Sequence, residues 1–247
     1  MTALRTESIP LVDDSDLRIT VGEPDGAVRG GVVVLHESGG VTERTEAVVA
    51  ALAGEGWLAV APHLYHREAS APPQSADDPD HAAQWVSGDS VLADSDASFG
   101  WLAARGVTSD RMGVLGFDLG ATAALVVASQ RSLGAAVTVA ASGVETSLTE
   151  GLPPLVEVVG ELTCPWLGLY GESGDPVDPA DIDRLREAAH ASGRVVDVVV
   201  YPAREHRFDV DAPAASESTE LDDGEVEEAS RAEARSRVLN WLDAHLR

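Results

Sequence analysis

Apolar positions come in short blocks, with helical patterns set between them. GGVVVL, running on to His36 and Glu37 (30–37), is a β-branched run with no polar face, as expected of a parallel strand buried on both sides. WLAVAP (57–62), RMGVLGF (111–117), GAAVTVAA (134–141), the apolar core of CPWLGLYGESGDPVDP (164–179) and VVDVVVYP (195–202) read the same way. Between them, TERTEAVVAALAGEG (42–56) places apolar residues at helical spacing, with Thr42 as N-cap and a stop at Gly54 and Gly56. Further helices are predicted over Ser90 to Arg105, over LGATAALVVASQR (119–131) and over PADIDRLREAAHASG (179–193). The stretch from Arg67 to Pro79, rich in Ser, Ala, Pro and Asp, reads as a loop.

Strand–helix alternation of this kind predicts an α/β fold, a mostly parallel sheet with helices on both faces, and ligands at the carboxyl ends of its strands. At 247 residues, with no repeat and no composition break, the chain reads as a single domain. Residues 209–228 are acidic and poor in apolar side chains, so a flexible insertion is expected there, followed by a closing amphipathic helix over 228–246.

Charge narrows the partners. Forty-two acids against seventeen bases, all arginine, give a net charge of −25, a surface that repels nucleic acid and anionic membranes. No apolar run reaches membrane-span length, and MTALRTESIPLVDD lacks the basic start and apolar block of a secretory leader. The single cysteine, Cys164, excludes an internal disulfide and fits a reducing compartment. A cytoplasmic protein with a small-molecule partner is expected, and the sequence leaves its oligomeric state open.

The chemistry gathers at predicted strand ends. VLGFDLGATAAL (114–125) has the strand–turn–helix form of a nucleophile elbow, with Asp118 between Gly116 and Gly120 where serine or cysteine is usual. Asp175 follows LGLYGESG, His206 follows VVVYPARE, and Glu37 ends the first long run. The order elbow, acid, histidine is that of an α/β-hydrolase, in which the histidine is the general base and the later acid orients it. His36, His63 and His66 raise a metal site with Glu37 and Asp118, but no cysteine pair or H-E-x-x-H helix supports one, and loop histidines shaping a pocket are the plainer reading. No metal and no cofactor are therefore expected.

Together, VVVLHESGGV, LAVAPHLYHR, VLGFDLGA, YGESGDPVDP and YPAREHRF resemble the dienelactone hydrolase family over most of the chain. The resemblance implies a three-layer α/β-hydrolase without a cap domain, hydrolysis of small esters or lactones, and a triad of Asp118, Asp175 and His206 with Glu37 at the family's glutamate position. It also implies an oxyanion hole from the backbone N–H groups of Leu119 and Ser38, with Arg207, His63 and Tyr65 at the substrate. His63 stands where an aspartate is common, and Asp118 replaces the family's Cys or Ser. A carboxylate there can attack carbon or activate water. The alternative is an elbow without its chemistry, in a hydrolase-fold protein that binds small molecules or serves a structural role. If Glu37 lies against Asp118, the two carboxylates share a proton; if it turns aside, it bonds backbone N–H groups.

Overall fold

The computed structural model describes residues 3–67, 86–149, 151–172, 177–202, 207–208 and 221–246. Within them runs an eight-stranded sheet, β1 (Leu4–Pro10), β2 (Asp16–Gly22), β3 (Gly30–Leu35), β4 (Trp57–Pro62), β5 (Met112–Phe117), β6 (Ala135–Val139), β7 (Trp166–Gly171) and β8 (Val196–Tyr201), in the order β1-β2-β4-β3-β5-β6-β7-β8. From β4 to β8 neighbouring strands are parallel, while β1–β2 and β2–β4 are antiparallel. The helices are α1 (Glu43–Gly54), α2 (Gly88–Ala103), α3 (Leu119–Gln130), α4 (Leu155–Val158), α5 (Pro179–Ala189) and α6 (Leu221–His245).

The alternation hidden in the all-apolar strands separates two cores. Val32 and Val34 of β3 join α1 and the Ala234–Val238–Leu242 stripe of α6 on one face. Val33 and Leu35 face the other way, onto α2, α3, α4 and α5. That is the three-layer arrangement expected, since strands buried on both faces need helices on both.

Three elements depart from the sequence reading. The β1–β2 hairpin was not predicted; Leu17, Ile19 and Val21 alternate into the core, and β1 is a half-exposed edge strand. Its turn is closed by Leu11 N–H donating to the Ser15 carbonyl (2.8 Å), with Asp14 at φ 62°. α2 begins at Gly88, two residues before the predicted start, because Ser87 and Ser90 form a reciprocal capping box, each hydroxyl accepting from the other's backbone N–H at 3.1 Å. α6 reaches back to Leu221, so 221–228, expected within the flexible insertion, is helical. Residues 209–220 of that insertion and the predicted loop beyond Arg67 lie outside the described residues. Thr42 does occupy the N-cap of α1, but its hydroxyl makes no capping bond.

Trp101 packs α2 onto the edge of the sheet. Its indole N–H donates to Glu7 of β1 (2.9 Å), and the Arg105 guanidinium lies 3.4 Å over its ring. Cys164 is buried and unpaired, and burial pushes its thiol up to about 12, which keeps it in the unreactive thiol form. No helix among the described residues is long and apolar enough to cross a membrane.

Candidate active site

β5 delivers Asp118 to the carboxyl end of the sheet in a strained turn, φ 47° and ψ −112°, from which α3 departs. Few non-glycine residues adopt positive φ, and strain of this sort persists only where the surroundings dictate it. Here the surroundings are backbone. A Cβ on Gly116 would lie 2.1 Å from the Gly120 carbonyl oxygen, and one on Gly120 would lie 2.2 Å from that of Leu35. Both glycines are therefore obligatory at these close approaches. Asp118 N–H donates to Val139 of β6 (3.0 Å), and its carbonyl accepts from Ala121 and Thr122 in the first turn of α3. Thr122 also ties the loop beyond β6, its hydroxyl donating to the Ser142 carbonyl (2.7 Å) and accepting from Ser142 N–H (3.2 Å).

Glu37 and Asp118 do come together, with a cation between them. One guanidinium nitrogen of Arg207 donates to Asp118 Oδ2, and another donates to Glu37 Oε2 at 2.9 Å. The Arg207 guanidinium also lies 5.5 Å from the ring centroid of Phe117, which stacks edge-on with Phe208 at 5.6 Å. Side-chain exposure is 16% for Arg207, 17% for Glu37 and 36% for Asp118, so Asp118 is the member most open to an incoming molecule. Burial pushes the Asp118 carboxyl up to about 6 against the opposing pull of Arg207, and the charge of Glu37 and a side-chain hydrogen bond with it add to the rise, as for two carboxylates that share a proton. Arg44, at the start of α1, approaches the outer oxygen of Glu37 to 3.9 Å from an exposed position.

The Glu37–Ser38 turn is braced from the end of β4. Leu64 N–H donates to His36 Nε2 (3.2 Å), so the proton sits on Nδ1, which donates to the Glu37 carbonyl at 2.7 Å. Burial holds His36 down to about 4, keeping it in this neutral tautomer. Tyr65 leans on His36 with ring centroids 5.0 Å apart and donates its hydroxyl to the Ser38 carbonyl (3.1 Å). Desolvation, with the Glu37 charge, raises the Tyr65 phenol, so it remains a donor. His63 meets Thr20 (3.0 Å) and Arg18 (3.5 Å) of β2 through Nε2. Burial, helped by the charge of Arg18, keeps it down to about 4.

His66 joins a different group. Its Nε2 lies 3.2 Å from both oxygens of Asp94, a fully buried carboxylate on α2 that also binds Arg67 at 3.0 Å and 2.9 Å. Sequence reasoning missed Asp94, although it shares a helical stripe with Val91 and Ser98, which face the core. Among the described residues no group of three or more His, Cys, Asp or Glu side chains could hold a metal ion. Asp175 and His206 lie outside the described residues. Leu119 opens α3, so its N–H is among those a helix start leaves without an intrahelical acceptor.

The model of the dienelactone hydrolase family matches residues 17–246. The chain belongs to that family, and so to the α/β-hydrolases. It is 32% identical over 216 residues to a provisionally named carboxymethylenebutenolidase of Salmonella typhimurium (strain LT2), covering 85% of this chain and 76% of that one. A protein of the same name in Escherichia coli (strain K12) is 31% identical over 218 residues, 85% of this chain and 75% of the other. Among solved structures, a provisionally named dienelactone hydrolase from Klebsiella pneumoniae subsp. pneumoniae superposes with a TM-score of 0.82 at 26% identity, covering 98% of this chain and 99% of its own. The protein is thus a member of that hydrolase family with a carboxylate at the elbow.

Proposed function

We propose that the protein hydrolyses a small ester or lactone, with Asp118 as the reacting carboxylate, His206 as general base and Asp175 orienting the imidazole. The observation that carries this reading is the strained elbow at Asp118, φ 47°, enforced by Gly116 and Gly120. A fold that no longer used position 118 would gain by relaxing such a turn. The N–H groups of Leu119 and Ser38 are the oxyanion donors in this reading, acting on charge that develops as the tetrahedral intermediate forms. Arg207 holds the substrate's polar end, while Tyr65 and His63 shape the wall nearest β4. The names of the bacterial relatives point to lactones as the first substrates to try.

Two routes are open to Asp118. It can attack the carbonyl carbon, expelling the alkoxide and leaving a mixed anhydride that water, deprotonated by His206, then cleaves. Alternatively it can help His206 deprotonate a water that attacks directly. Label left in the Asp118 peptide after a single turnover in 18O-water identifies the covalent route with water attacking Asp118 Cγ, and an acyl adduct on that peptide, trapped by acid quench and seen by mass spectrometry, identifies it where water attacks the substrate carbonyl.

One observation favours a second reading. Arg207 pairs with both carboxylates, which blunts Asp118 as a nucleophile and suits a pocket that binds without reacting. Hydrolysis of an aryl ester and a lactone by wild type and Asp118→Ala decides between the two. Turnover that disappears in the variant supports the hydrolase; equal rates, or none in either protein, leave the binding protein.

A further inference from the structure

Tyr201 is the last residue of β8, where the chain leaves the sheet on the way to Arg207. Its carbonyl accepts from Glu172 N–H at 2.7 Å, where the chain leaves β7 toward Asp175, and its own chain leads on toward His206 and Arg207. Its side chain points to the opposite anchor. The phenol donates to Glu233 of α6, and Glu233 is gripped by Arg237 through Nε at 2.9 Å and a second nitrogen at 2.6 Å. A third Arg237 nitrogen returns to Asp197 of β8 at 3.1 Å, closing a ring between strand and helix. Tyr201 is buried in the core face that also holds Phe117, with Phe208 packed against it.

We propose that Tyr201, Glu233 and Arg237 are positioning residues, which fix the end of β8 so that Arg207 meets Asp118 and Glu37. This deepens the hydrolase reading and rests on it, since Asp118 is the reacting carboxylate there. The physical reason is lever length. Arg207 lies six residues beyond Tyr201, so a small tilt of the strand end is amplified before it reaches the site, and misplacement by about 1 Å can cost about 100-fold in rate. A backbone ladder alone cannot prevent that tilt, since among the described residues β8 is the edge of the sheet and pairs on one side only.

The test follows the Asp118 carboxyl by carbon NMR titration, with the signal assigned from Asp118→Asn. Among the described residues, the charged groups facing Asp118 are Arg207 and Glu37, with Arg44 behind Glu37. Tyr201→Phe removes one oxygen, and Glu233→Gln removes the charge that holds Arg237. Both are expected to raise the Asp118 midpoint, because Arg207 loses its fixed seat, and to lower kcat more than they raise KM. Arg237→Lys, which keeps a cation beside Glu233, should retain most of the wild-type midpoint. An unchanged midpoint in both variants, with a lowered Tm, would overturn the proposal and leave the ring a packing device. The midpoint needs no turnover, so an inactive wild type would sink the hydrolase reading while the positioning role is still measured.

Discussion

The two sides of the site are held by different physics. On the β5 side, Asp118 is placed by backbone against backbone, with Gly116 and Gly120 admitting no side chain at all. On the β8 side, Arg207 is placed by side chains, through charges on Asp118 and Glu37 and an aromatic contact with Phe117. Steric placement is rigid and indifferent to pH, whereas ionic placement answers to protonation and salt. One half of the site should therefore fail through a single methyl group, and the other should drift with solution conditions.

The largest effect is expected from Gly120→Ala. Its methyl would overlap the Leu35 and His36 carbonyls, and a loss of about 4 kcal/mol or more in urea unfolding is expected. A wild-type midpoint for this variant would mean that the elbow is compliant and the contrast false. Next comes Arg207→Met, which leaves two carboxylates without their cation. A loss of about 2 kcal/mol at pH 8 is expected, smaller at pH 5 because Asp118 can then take up a proton. Equal losses at both pH values would show that Arg207 acts by packing.

The pH dependence of the wild type is a third way to sharpen the contrast, and its terms oppose each other. His36 and His63 titrate near 4 when folded against about 6.5 when unfolded, so their stability is present above about 6.5 and lost as pH falls toward 4. Asp118 titrates near 6 when folded against 3.8 when unfolded, so its contribution is present below 3.8 and lost as pH rises through 6. Two histidines outweigh one partly exposed aspartate, and stability should fall by about 2 kcal/mol between pH 7 and 5, His63 contributing less than the buried His36. Asp118→Asn should steepen that fall, and His36→Gln should flatten it. The smallest effect is expected from Arg44→Ala. At 3.9 Å from Glu37 and exposed, Arg44 is worth less than about 0.5 kcal/mol, and a larger loss would make it a second seat for Glu37.

The same division explains what could be read from the chain. Backbone placement leaves a mark in sequence, since a glycine on each side of Asp118 after a β-branched run admits few structures. The parallel strands from β3 onward were legible for a related reason, their apolar runs being short and bounded by turn residues. The β1–β2 hairpin was not, because β1 is half exposed and mixes Arg, Thr, Glu and Ser, although the Leu17–Ile19–Val21 alternation in β2 was there to be seen. Ionic placement leaves no such mark. Arg207 was noticed as a neighbour of His206, but that its guanidinium would bridge Glu37 and Asp118 depends on how β3, β5 and β8 are ordered in space. Asp94 and Glu233 escaped notice because a single acid on a helix looks the same in sequence whether it faces solvent alone or pairs with an arginine.

The seat of Gly120 on the Leu35 carbonyl also bears on how the molecule assembles. β3 and β5 are neighbours in the sheet, Gly31 pairing with Met112, yet β4, α1 and α2 all intervene along the chain. Joining them closes a long loop, the kind of step that is slow to form and early to be lost. Until that closure occurs, the Leu35 and His36 carbonyls do not press on Gly120, and one of the restraints on the turn at Asp118 is missing. The elbow is thus expected to set only as the centre of the sheet closes, with its strained aspartate the mark of that completion.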